Sequence, residues 1–182
     1  MNFGNLLVFL SRRTLHVVVL LFSIFFYTLP SVADESSERE VKIKIAYLFH
    51  FNQFTEWAIK LPVFNYCVYE DAHFSELLKQ AYVGKKHGDS DIDVQNINAQ
   101  SNVDNCQLIY FPNNISVDLL ARIRKKPILS VGTQKNFVEQ GGIIYLFEED
   151  QKIRFFINNA IASAAGIKIN SQLLALSKEP TP

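Results

Sequence analysis

The alternation of apolar and polar positions divides this chain into short, regularly spaced elements. Residues 41–57 contain no proline or glycine, and Ile45, Leu48, Phe49, Asn52 and Glu56 recur at helical spacing. Tyr47, Phe51, Phe54 and Trp57 widen the apolar face, so this helix should be substantially buried. Pro62 then punctuates the chain, and Val63–Tyr69 reads as a strand. A helix is expected over residues 74–82, starting near Asp71 or His73, and a polar turn over residues 84–88. Residues 91–97 alternate as a half-buried strand, and residues 106–111 form the apolar run of a buried one.

In the second half, Ser116 is a good N-cap for a helix over residues 116–124, with Asp118 well placed in its first turn. Residues 127–131 read as a short buried strand, residues 134–139 as a helical turn and Gly141-Gly142 as a break. Residues 143–147 and 153–156 flank Glu148, Glu149, Asp150 and Gln151, the pattern of a hairpin with a solvated tip. A last helix should start near Asn170 or Ser171 and carry Leu173, Leu174 and Leu176. Strands alternating with helices predict a single α/β domain. Its sheet should be mostly parallel and doubly wound in flavodoxin-like order, flanked by helices, with an antiparallel edge hairpin.

The N-terminus changes the picture. Arg12 and Arg13, the apolar run at residues 15–26, Pro30 and the small-residue site Ser31-Val32-Ala33 follow the order of a cleavable signal peptide over residues 1–33. The apolar run is short for a bilayer span. Residues 34–182 are then expected in the periplasm. Cleavage would leave 149 of the 182 residues, enough for one domain. All 18 acidic residues and all but 2 of the 18 basic ones lie in that mature part, for a net charge of −2. That is not the electrostatic footprint of a nucleic-acid binder.

Candidate chemistry is sparse. His50, His73 and His87 are scattered and pair with no other ligand at metal-binding spacing. Ser130-Val131-Gly132-Thr133 lies where a strand meets a helix, a common ligand position in doubly wound sheets, yet it also reads as an ordinary turn. The run Glu148, Glu149 and Asp150 reads as a solubilising tip. Asn114-Ile115-Ser116 is a formal glycosylation acceptor without significance in a bacterial-looking exported chain. No catalytic residue, metal site or cofactor is predicted. Cys67 and Cys106 are the two cysteines of the chain, and they read as a disulfide in an oxidising compartment or as two buried thiols in a reducing one. The export signal favours the bridge. In a 2-1-3-4-5 sheet their strands are neighbours.

Several segments together resemble the YfiR-like family: residues 44–57 with Trp57 at their end, Cys67-Val68, residues 105–111, residues 127–131, Phe137, Gly141-Gly142, Arg154-Phe155, Ile157-Asn158, residues 165–169 with Gly166, and Ser171-Gln172-Leu173-Leu174. The resemblance covers roughly residues 41–177. It implies a small periplasmic α/β domain with the cysteine pair, in which Trp57, Gly141, Gly142, Arg154, Phe155, Asn158, Gly166, Leu173 and Leu174 are structural or partner-contacting. It also implies a regulator that binds the periplasmic sensor domain of an inner-membrane diguanylate cyclase and keeps the cyclase inactive. The chain departs from the family at Ala58, where proline is usual, at Phe156, where glutamate is usual, and at Asn159, where leucine is common. It lacks a second cysteine pair.

The leading expectation is therefore a non-enzymatic regulator that biases a two-state membrane receptor, a diguanylate cyclase or another signalling protein, with a homodimer possible. The alternative is a periplasmic small-molecule-binding module that uses the strand-end crevice. A hydrolase finds no acid, base and nucleophile set among the motifs. Gly141 and Gly142 are expected where a positive φ or close backbone approach is needed, and Arg154 on the polar side of its strand.

Overall fold

The structure is a computed structural model and describes residues 32–57 and 61–179. The chain divides into the unit Met1–Arg39 and the unit Glu40–Pro182. Of the signal peptide expected over residues 1–33, all but Val32 and Ala33 lie outside the described residues. The first described element is helix α1 (Val32–Gln53). No described helix is long and apolar enough to cross a membrane.

Helix α1 ends earlier than its periodicity suggests. Thr55 Oγ1 donates to the Phe51 carbonyl at 2.7 Å, and the chain then straightens into strand β1 (Thr55–Glu56). This strand pairs antiparallel with β9 (Lys168–Ile169), a pairing between distant residues that local pattern does not encode.

The main sheet begins with β2 (Val63–Tyr69), as the pattern predicts. Helix α2 (Ala72–Tyr82) follows, with Asp71 as its N-cap, accepting from Phe74 N–H at 2.8 Å. The expected polar turn over residues 84–88 contains a two-residue strand, β3 (Lys86–His87), which pairs back onto β4 (Ser90–Ile97). Strand β5 (Leu108–Phe111), helix α3 (Val117–Ile123), β6 (Leu129–Gly132), β7 (Ile144–Glu149) and β8 (Lys152–Ile157) complete the sheet. Ser116 caps α3 through Leu119 N–H, while residues 134–139 form turns without a helix. The β7–β8 tip is tighter than expected: Glu149 pairs with Lys152, and only Asp150 and Gln151 turn the chain, both at positive φ. Two short elements close the domain, α4 (Asn159–Ala164), which the periodicity misses, and α5 (Ser171–Ala175). Leu176 lies beyond α5 and is largely exposed.

The strand order is β3-β4-β2-β5-β6-β7-β8. The five central strands are mutually parallel and reproduce the 2-1-3-4-5 order, with β3 and β8 antiparallel at the two edges. Because side chains alternate along a strand, the sheet builds two cores. Tyr66, Val68, Leu108, Tyr110, Leu129 and Ile144 pack with α1 and α2 on one face. Cys67, Tyr69, Ile109 and Phe111 pack with α3 and Phe137 on the other. Helices on both faces make the sheet doubly wound.

Candidate functional site

The residues of the sequence motif gather mainly where α1, the β7–β8 hairpin and the C-terminal elements meet. Trp57 leaves α1 and turns its indole N–H back onto Asn52 Oδ1 at 3.0 Å. Asn52 is fully buried, and its Nδ2 donates to the Tyr66 hydroxyl at 2.7 Å. Tyr82 completes the cluster by donating to the Ile45 carbonyl at 2.9 Å. Burial pushes the Tyr66 and Tyr82 phenols far above their usual range, so both stay protonated. These partners satisfy polar groups inside an aromatic core, where an unpaired one would be costly.

Phe155 is buried edge-on against Phe51 and Tyr47, at ring separations of 5.1 and 5.6 Å, and so seats the hairpin on α1. Asn158 caps α4 by accepting from Ile161 N–H. Gly166, at φ 75°, ends that helix: its N–H reaches the Ser163 carbonyl while Ile167 N–H reaches Ala162, a Schellman closure that needs a left-handed residue. Leu173 is buried in the core, with Leu174 packed beside it. Gly141 has φ 99°, and a Cβ on Gly142 would sit 2.2 Å from the buried Phe137 ring. Arg154 departs from its expected polar surroundings. It stands opposite Phe147 in the hairpin register, half-buried, and its Nε meets no partner among the described residues.

Cys67 and Cys106 are joined in a disulfide, with their Cα atoms 5.9 Å apart. Cys106 precedes β5 instead of opening it, and its N–H closes a turn onto the Val103 carbonyl. The bridge therefore fastens a central strand to the turn that feeds its neighbour.

That turn forms part of the wall of a cavity of about 680 Å³. Trp57, Phe64, His87, Cys106, Gln107 and Ile128 line it, at the amino ends of β2, β5 and β6. Lys126 and Asp104 stand at its margin as an ion pair, with N···O 2.5 Å. The pair holds the Asp104 carboxyl below its usual value, and desolvation lowers the His87 imidazole, which lies 4.9 Å from the Phe64 ring. At the opposite, carboxyl end of the sheet, where the sequence places a strand-end crevice, several polar groups bond internally, although the buried Gln134 Oε1 meets no partner among the described residues. Ser130 Oγ accepts from Ile143 N–H, Thr133 donates to the Pro112 carbonyl, and Gly132 packs against Phe137. Sequence reasoning missed Asn52 and Gln107 as site residues, although each is a polar residue within an apolar run.

A model of the YfiR/HmsC-like family matches residues 41–178. The chain belongs to this family. No curated protein matches the chain. The YfiR/HmsC-like segment begins one residue after the folded unit does. It ends at Lys178, whose N–H donates to the Phe155 carbonyl at 2.9 Å along the outer edge of β8. Among the described residues of this YfiR/HmsC-like domain, no group of three His, Cys, Asp or Glu side chains could hold a metal ion. Glu149, from the acidic run, pairs with Lys178.

Proposed function

We propose that this chain is a non-enzymatic periplasmic regulator that binds the periplasmic domain of an inner-membrane signalling protein and represses a diguanylate cyclase. The observation that carries the reading is the family match across residues 41–178. Two features support it. The Cys67–Cys106 bridge suits an oxidising compartment, and residues 1–33 have the order of an export signal. Most motif side chains are spent on caps, turns and core contacts, which suits a rigid body that acts by binding. Such a protein represses by preferring one state of a two-state receptor, and its effect is limited by that preference.

The test is genetic and biochemical. Deleting the gene should raise cellular cyclic di-GMP, and restoring it should lower the level again. The purified protein should co-elute with the periplasmic domain of the cyclase whose activity it controls. Unchanged cyclic di-GMP in the deletion strain would overturn the reading.

A further inference from the structure

The cavity at the amino ends of the strands is lined by a fixed donor on Gln107 and by His87, whose buried Nδ1 meets no partner among the described residues. Gln107 is 8 % exposed, and its Oε1 accepts from Asn65 N–H at 2.7 Å. Its backbone is equally committed, with its N–H on the Asn65 carbonyl and its own carbonyl on Leu129 N–H. The side chain is thus held in place, while the two N–H groups on Nε2 meet no acceptor among the described residues and are not sealed from the cavity. Around this donor the walls are aromatic and aliphatic. Trp57 and Phe64 meet edge to face at 5.1 Å, and Ile128 and Pro127 form another wall. A volume of about 680 Å³ is in the range of small-molecule sites. Apolar walls with a few fixed polar groups are what such sites use for orientation.

Charge at the rim decides between ligand classes. Lys126 is already paired with Asp104, and Asp89 adds a second carboxylate to the lining, so the margin carries one more negative than positive charge. An anion gains nothing there. We propose that this cavity binds an uncharged planar aromatic compound of one or two rings bearing a carbonyl oxygen. The oxygen accepts from Gln107 Nε2, and the rings lie against Trp57 and Phe64. The site is separate from the receptor-binding reading and stands or falls without it.

Trp57 is the single tryptophan of the chain, so its indole N–H gives one resonance in a ¹H–¹⁵N spectrum of the labelled protein. Titration with 2-naphthamide should move that resonance saturably and give nuclear Overhauser contacts from the naphthyl protons to the Trp57 ring. The charged analogue 2-naphthoate should bind more weakly. Gln107→Glu keeps an acceptor for Asn65 N–H but removes the donor, and should raise the Kd for 2-naphthamide by about tenfold or more. The proposal is overturned by an unmoved Trp57 resonance at the solubility limit of 2-naphthamide. It is equally overturned by a preference for 2-naphthoate, or by an unchanged Kd in a folded Gln107→Glu protein. The Overhauser contacts in the unmodified protein decide the matter if that variant does not fold.

Discussion

At the scale of single residues, the positions that tolerate least are those where backbone and ring compete for the same space. A methyl group on Gly142 would lie 2.2 Å from Phe137, whose ring is fully buried and also contacts Phe111 at 5.5 Å. Gly142→Ala should therefore destabilise the domain by about 1–3 kcal/mol, seen as a lower denaturation midpoint at unchanged m-value. His87 makes a different prediction. Desolvation lowers its folded pKa below the ordinary imidazole value of about 6.5, so the unfolded chain binds more protons as pH falls through that value. Its contribution to stability is complete above about 6.5 and is lost as pH falls toward the folded pKa. The melting temperature should decline as pH falls below about 6.5, and His87→Gln should flatten that decline. An equal slope in both proteins would assign the effect to other groups. Residues of this kind differ in how far sequence reveals them. The glycine pair stands out locally, whereas the Asn52, Trp57 and Tyr66 contacts depend on bringing α1 against β2, which no local pattern states.

At the scale of elements, the legible ones are those long enough to show a period. Val63–Tyr69 is read correctly because it is a seven-residue apolar strand, and the helix after it because Asp71 caps it. The two-residue strands β3 and β9 exist only through their partners, and the six-residue α4 is shorter than two helical turns, so periodicity passes over all three. The 2-1-3-4-5 order was accessible because alternating strands and helices leave few right-handed arrangements. Within this sheet the disulfide acts between elements. Its 39-residue separation spans α2, β3 and β4, so that breaking it frees that whole segment in the unfolded chain. The chain-entropy model assigns such a loop about 4 kcal/mol. A Cys67→Ala/Cys106→Ala double variant should lose stability of that order in chemical denaturation, and the reduced native protein should lose a similar amount. Full stability after reduction would show that packing alone holds the turn before β5.

At the scale of the whole molecule, the question is which part of the chain forms the mature protein. The family segment starts at residue 41 and the second unit at Glu40, both after the expected cleavage point. Helix α1 begins at Val32, and cleavage after Ala33 would trim only its first two residues. Leu48, Phe51 and Asn52, which α1 brings to the core, all lie well beyond the expected cleavage point. Protein recovered from the periplasmic fraction should begin at or within a few residues of Asp34 by N-terminal sequencing, with its cysteines unreactive to thiol reagents after denaturation. An intact chain starting at Met1 in the membrane fraction would make residues 1–33 an anchor and tether the regulator beside its receptor. Two free thiols in periplasmic protein would remove the bridge from the working molecule. Under the proposed function, the cleaved, oxidised form would repress as a diffusing folded unit, and its effect on cyclic di-GMP should then rise with its periplasmic concentration until the receptor is saturated.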